Sequence, residues 1–306
     1  MTGSATISVE IELGWGFHDK RPPSEVPELS DDGEAERAAL RRLLDLCDKF
    51  SVPITFNVVG HLLLDSCEGT HAGPHPDGWF DRDPGTDVDT DPLFYAPEVV
   101  EWIRDADVDH EICTHTFSHV LCDEVAPDVV EWELDRASDL HGERVRSLVP
   151  PRHRDPPRDV LRSHGIETLR LPVDESPPTG PIGRYRYVLG RSHPVGPLKT
   201  VDGILETRTS PVMTLTSTTL SKGVASPHPA FRVLPKRFRS RRQRSFLLDG
   251  LNRAVDSDEH VHYWTHCYNL AHESQWPPIR RLFEALQSHV LEEAIDVRTM
   301  RELTVM

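Results

Sequence analysis

The feature that most limits how this chain can fold is an alternation of short, β-branched apolar runs with segments of helical apolar period. "ATISVEIELGWG" (5–16) alternates apolar and charged residues and reads as a strand ending at Gly14. "VPITFNVVG" (52–60) is almost wholly apolar between Pro and Gly, as in a strand covered on both faces. "HEICTH" (110–115), "SLVPPR" (147–152), "IETLRLP" (166–172), "HVHYWTHCYNL" (260–270) and "IDVRTM" (295–300) extend the series. Helices are predicted over 31–50, 96–107, 127–145, 156–165, 243–255 and 277–294. Strands alternating with helices imply an α/β parallel arrangement. About seven such units in 306 residues fit a distorted, closed (β/α) barrel forming a single domain over 1–306. Two stretches break the rhythm: a long Gly-, Pro- and Asp-rich loop at 68–92, and an irregular insertion at 172–232.

Composition narrows the function. No run approaches the roughly 18–20 apolar residues that span a bilayer, and the N-terminus lacks the basic and apolar regions of a secretory signal, so the expectation is a soluble cytoplasmic protein. A formal charge of -16 argues against nucleic acid as a partner. Five lysines against 50 Asp and Glu suggest adaptation to a salt-rich interior, where self-repulsion is screened. Five scattered cysteines without a C-x-x-C pair argue against a disulfide framework. A structural zinc site drawing on Cys113, Cys122 and Cys267 stands as a minor alternative to buried thiols. The acidic "DVDTDP" (87–92) lacks the Gly and distal Glu of a calcium loop.

In barrels the chemistry sits where strands end, and the polar residues of interest fall there. "EICTHTFSH" (111–119) places His115 and His119 four apart. That spacing alone leaves two readings open: a pair of ligands for one ion, or coincidence in a chain with 17 histidines. In "SVEIELGW", Glu10 and Glu12 are two apart and face one side of a strand, where paired acids call for a cation or solvent. Two histidines and one carboxylate form a hydrolytic metal-site pattern, with the second carboxylate free to act as general base. His266, at a late strand end, is the candidate general acid.

With these residues placed, the chain resembles the polysaccharide deacetylases (carbohydrate esterase family 4, the NodB-homology domain), in a variant branch. "VEIELGWG" is similar to that branch's first motif, "HTFSH" to the family's His-Ser/Thr-x-x-His, and "HYWTHCYNL" to its final motif. "VPITFNVVGHLL", "DPLFYAPEVVEWI" and "DVRTMREL" share the family's look. The resemblance implies Glu10 as catalytic base, Glu12, His115 and His119 as ligands of a divalent ion, expected to be Zn²⁺, and His266 as the acid that protonates the leaving amine. It also implies removal of an N-acetyl group from a sugar. Both acids are usually Asp in the family. Its third motif, Arg-x-Pro-aromatic, survives only as "VPPRHRDPPRDVL", where Arg152, or else Arg154, is the expected partner of the base. Asp202 and Glu206 stand for the fourth motif.

"KRFRSRRQR" (236–244) is a basic run in an acidic chain. It reads as a solvated helix face, or as a phosphate site at Arg239, Arg241 and Arg242. The second reading points to a nucleotide- or lipid-carrier-linked N-acetylated sugar. Rival functions are a cyclic-amide hydrolase on the same fold and a non-catalytic glycan- or phosphate-binding relative.

Overall fold

The computed structural model describes residues 2–142, 144–175, 178, 180–211, 213–227 and 229–305. Residue 143 of the third predicted helix lies outside them, as do 176, 177, 179, 212 and 228 of the irregular insertion.

Nine strands are described: β1 (Gly3–Ile11), β2 (Thr55–Val58), β3 (Glu111–Thr114), β4 (Ser147–Leu148), β5 (Thr168–Pro172), β6 (Lys199–Val201), β7 (Ile204–Thr209), β8 (His260–His266) and β9 (Ile295–Val297). The described helices are α1 (Glu34–Phe50), α2 (Glu98–Arg104), α3 (Pro127–His141), α4 (Arg158–Ser163), α5 (Pro181–Gly190), α6 (Pro229–Arg232), α7 (Lys236–Ser257) and α8 (Trp276–Leu291). Seven parallel strands close a barrel in the order β1-β2-β3-β4-β5-β7-β8 and back to β1.

The closure is uneven, which is the distortion. β1 joins β2 only through Ser8–Ile11, while its first residues pair with β9 through Gly3–Ala5. β7 meets β8 at a single pair, Thr209 with His262, and β6 runs antiparallel along β7. One expectation changes here. The final predicted strand, 295–300, is shortened to β9 and stays outside the ring. The seventh barrel strand is β7, from within the stretch expected to be irregular.

The alternation along β1 decides what faces where. Ala5, Ile7, Val9 and Ile11 join one apolar cluster with Leu40, Leu43 and Cys47 of α1, Phe246, Leu247 and Leu251 of α7, and Ile279 and Leu282 of α8. Their neighbours Ser4, Ser8 and Glu10 bond to side chains of β5 and β8 across the barrel interior. The lumen is therefore polar, and burial without water requires each of those groups to be paired. Arg37 of α1, paired with Glu98 of α2 at 2.6 Å and donating to the Tyr95 carbonyl, ties two outer helices together. Among the described residues, no helix is long and apolar enough to cross a membrane.

Candidate active site

At the C-terminal end of the barrel, β1 delivers Glu10, and the chain then leaves the sheet. Glu12 caps a single 3-10 turn, Leu13–Gly16, and its carboxylate folds back over Gly16. A Cβ on Gly16 would stand 2.4 Å from the Glu12 Cδ, so only glycine leaves the room this side chain occupies. β3 ends at Thr114. His115 still donates its backbone N–H to the Val58 carbonyl, and the chain turns sharply through Thr116 and His119, both at positive φ. Leu13, Arg152 and His153, which flank the same site, are also at positive φ. Such backbone costs about 1–3 kcal/mol per residue and persists where surrounding packing fixes it.

These turns gather the expected groups. Glu12 Oε2 lies 3.0 Å from His119 Nε2 and 3.4 Å from His115 Nε2, with all three side chains buried. His115 Nδ1 is 2.7 Å from the Val149 carbonyl, which can only accept, so Nδ1 carries the proton. In the neutral ring, Nε2 then presents a lone pair to a carboxylate oxygen. That arrangement asks for a cation between them. His119 Nδ1 and His115 Nε2 have no hydrogen-bond partner among the described residues.

The second half of the site is built around Glu10. Its Oε2 is 2.9 Å from His266 Nε2, and its Oε1 accepts from Arg170 Nη2. Arg170, fully buried on β5, also donates to Ser8 Oγ at 2.8 Å and lies 4.6 Å over the Trp264 ring. His266 reaches Glu12 Oε1 as well, at 3.4 Å, and stacks on Tyr268 with ring centroids 4.9 Å apart. Burial pushes the Glu10 carboxyl up, but the charges of Arg170 and His266 together outweigh it and hold the group well below the usual range. Burial likewise raises Glu12, and the neighbouring His266, His115 and His119 reverse the sign. For His266, burial favours the neutral ring, yet the carboxylates of Glu12 and Glu10 prevail and raise its pKa. Burial lowers His119, which Glu12 offsets only in part.

A cavity of about 330 Å³ opens onto this cluster, lined by Glu10, Glu12, His119, Arg152, Trp264 and His266 with Phe17 and Tyr268. Arg152 lines the cavity but does not pair with the base. Its guanidinium makes a bidentate pair with Asp19, because the left-handed turn at Arg152 carries it away from Glu10. Arg154 pairs with Asp123 and Glu124 near the surface. The arginine that pairs with Glu10 is Arg170, from the next strand.

Other expectations also move. Asp202 is an exposed turn residue, and Glu206 is held by Arg158 at 2.6 Å and by Arg208. Arg239 donates to the carbonyls of Thr219 and Leu234, and Arg242 to those of Leu189 and Arg191. Arg241 is exposed, and none of the three lines the cavity. The run on α7 therefore divides between solvent and carbonyl capping, with no phosphate cradle. Cys113, Cys122 and Cys267 are buried, with burial pushing each thiol up, Cys267 to about 12. Among the described residues no metal-ligand cluster includes them. Asp87 bonds to the Thr90 N–H, a local turn.

The family model for polysaccharide deacetylases matches residues 22–169. The match covers just under half of the chain, and over that stretch the chain is similar to the polysaccharide deacetylase family. That match contains His115, His119 and Arg152 but stops short of Glu10, Glu12, Arg170 and His266, whose assembly rests on the geometry above. The chain is also similar to a solved putative polysaccharide deacetylase from Mycobacterium smegmatis, at 14% identity and TM-score 0.58, covering 99% of this chain and 90% of that one. A probable polysaccharide deacetylase from Pseudomonas aeruginosa PAO1 matches at 13% identity and TM-score 0.58, over 98% and 88% of the two chains. A structure titled PuuE allantoinase matches at 14% and TM-score 0.55, over 98% and 88%. At these identities the likeness is one of fold. The sequence finds no match among curated proteins.

Proposed function

We propose that this chain is a divalent-metal-dependent hydrolase that removes an N-acetyl or related acyl group from a sugar. The observation that carries the reading is the closed triangle of Glu12, His115 and His119, with the His115 tautomer set by Val149 so that its free lone pair faces Glu12. These three residues would hold the ion, and their donor set of two imidazoles and one carboxylate suits zinc. When bound, the ion supplies Lewis-acid polarisation of the acyl carbonyl and a lowered pKa for water.

The chain's own groups supply the proton traffic. Glu10 Oε2 takes the proton from the attacking water, while Arg170 and Ser8 hold the other end of that network in place. His266 Nε2 bears the proton delivered to the departing nitrogen, and its raised pKa favours that form. At rest the acid and base touch each other at 2.9 Å, so substrate enters beside that contact. Trp264, Tyr268 and Phe17 offer aromatic faces to a sugar ring, and a cavity of about 330 Å³ matches one or two rings better than a long polymer. Arg152, held by Asp19 at the rim, is placed to meet a polar or anionic substituent of the sugar. A carrier-linked, N-acetylated sugar remains the proposed substrate class, and zinc the proposed ion.

The allantoinase likeness and the small cavity favour cyclic amides as the second reading. Metal-free protein reloaded with zinc is tested for release of acetate from free and carrier-linked N-acetylated sugars, beside a panel of cyclic amides and ureides. Zinc-dependent acetate release that is lost in His119→Ala supports the proposal. Turnover confined to the cyclic amides transfers the site to the second reading. Tight sugar binding without turnover makes the chain a binding protein.

A further inference from the structure

The loop at 68–92 is long and almost without regular structure, yet its interior is organised around four side chains outside the active site. His61 lies in the turn after β2, Cys67 immediately precedes the loop, and His71 and Asp83 come from the loop. One donor atom from each lies within 4.8 Å of all the others. His61 Nε2 and His71 Nε2 stand 3.1 and 2.8 Å from Asp83 Oδ2, and Cys67 Sγ stands 3.5 Å from His61 Nε2 and 3.4 Å from Asp83. A tetrahedral zinc with N and O ligands at about 2.0–2.1 Å and S at about 2.3 Å requires neighbouring donors roughly 3.3–3.6 Å apart.

We infer that His61, Cys67, His71 and Asp83 form a structural zinc site. Charge supports it. One thiolate and one carboxylate neutralise a divalent ion, which suits a place where the side chains of His61 and Asp83 are fully buried. The orientation of His61 supports it independently. Its Nδ1 lies 3.3 Å from the Phe94 carbonyl, which can only accept, so the neutral ring directs the lone pair of Nε2 at Asp83. As at His115, two acceptors face one another, an arrangement that a cation would relieve; the His–Asp donors stand slightly closer than bound zinc would hold them.

The surroundings are those of a second shell that holds ligands in place. The N–H of Gly69 donates to Cys67 Sγ, and that of Gly85 to Asp83 Oδ1. The Tyr95 hydroxyl sits 3.1 Å from the sulfur and itself accepts from the Thr86 N–H. Four protein ligands leave no open position, so the site is structural rather than catalytic. Binding zinc releases the Cys67 thiol proton to solvent.

The location gives the ion a purpose. The His61 and Gly60 N–H groups donate to the carbonyls of Phe117 and Thr116, inside the strained turn that carries His115 and His119. The Phe117 ring packs on both His61 and His71. The zinc would staple the loop beneath that turn.

The test needs no variant at first. The full chain, stripped of metal, is titrated with Co²⁺ and followed by absorption. A thiolate-to-cobalt charge-transfer band that saturates at one ion per chain is expected, since the catalytic triangle has no sulfur, and its absence overturns the inference. The band persists in His119→Ala, which separates this site from the catalytic one, and disappears in Cys67→Ser. Elemental analysis of zinc-loaded protein is expected to fall by one ion per chain in His71→Ala. Unchanged zinc content there refutes the site even if the catalytic ion is present.

Discussion

Replacing Arg170 by Met removes the guanidinium that pairs with Glu10 in the barrel lumen, leaves His266 as its other partner, and keeps much of the side-chain volume. Arg170 is fully buried and Glu10 is 3% exposed, so water cannot replace the lost partner. Breaking a buried pair by removing one member costs about 3–5 kcal/mol, a large part of the 5–15 kcal/mol typical of a folded domain. Some of that cost comes from the lost donor to Ser8 and the lost contact with Trp264 rather than from charge. Arg170→Met combined with Glu10→Gln separates the parts. With both charges gone, at least half of the lost stability should return, because apolar or neutral replacements of a buried pair are often tolerated.

Urea unfolding at fixed metal concentration, followed by circular dichroism and tryptophan fluorescence with coincident transitions, measures each variant. With m about 3 kcal/mol/M for a chain of this size, Arg170→Met should lower the midpoint by about 1–1.7 M. The sign of the pH effect follows from the same contact. In the native protein, burial raises the Glu10 pKa but Arg170 and His266 outweigh it. The native protein's share of stability from Glu10 is thus present above the unfolded pKa and lost as pH falls through the lower folded value. Without Arg170, mainly His266 is left to oppose burial, so the folded pKa rises and the cost of the buried charge is relieved as pH falls. The gap between native and variant should therefore narrow from pH 7 to pH 5. A loss under about 1 kcal/mol, or a double variant no more stable than Arg170→Met, would refute the reasoning.

Gly16→Ala places a Cβ 2.4 Å from the Glu12 carboxylate and must displace it. Since a 1 Å misplacement can cost about 10²-fold, kcat/KM on whichever substrate is turned over should fall at least tenfold with little change in Tm, and unchanged kinetics would exclude the proposed role of Glu12. Burial lowers His141 and His193 to about 4 and His260 to about 3, against an ordinary 6.5. The unfolded chain takes up these protons first, so stability is complete above about pH 6.5 and declines toward pH 4, by roughly 3 kcal/mol per histidine. His141, whose ring nitrogens have no partner among the described residues, offers the test: His141→Leu should shift the acid-unfolding midpoint downward, and an unmoved midpoint refutes the assignment. The formal charge of -16 predicts that Tm rises with KCl from about 0.1 to 1 M, as the Debye length falls from about 10 to 3 Å; a flat Tm over that range would leave the charge unrelated to salt adaptation.

Most of the barrel was legible because its strands are covered on both faces and its helices show one apolar stripe, two signals set by local spacing. β7 was not. "ILETRT" alternates like an ordinary half-buried strand, and only its five-residue pairing with β5 gives it a place in the ring. Glu10, Glu12, His115, His119 and His266 were legible because each sits at the end of a strand or in the turn that follows one. Arg170 was missed although a signal existed: an arginine inside "TLRLP" cannot be buried without an acid. Glu10 was the acid lacking a reason. The loop cluster was harder. His61, Cys67 and His71 are close in sequence, but Asp83 is one aspartate among many, and only folding selects it.

The displaced arginine and the lengthened acid explain each other. In "VPPR", neither Arg152, which pairs with Asp19, nor Val149 meets Glu10. Val149 instead gives its carbonyl to His115. Its neighbour across the sheet, one step beyond the Leu148–Leu169 pair, is Arg170, so the guanidinium that meets Glu10 stands one strand over from Arg152. A glutamate base reaches one methylene farther into the lumen than an aspartate, and a cation standing on the adjacent strand meets it there. The same depth explains the rest of the lumen. Ser8, which accepts from Arg170, lies 2.8 Å from His262, which meets Thr207, and Thr207 meets His260. Burial keeps His260 and His262 neutral, with pKa values well below the ordinary one. The polar column thus orients Arg170 by hydrogen bonds without adding a competing charge, and leaves Glu10 as its one ionic partner.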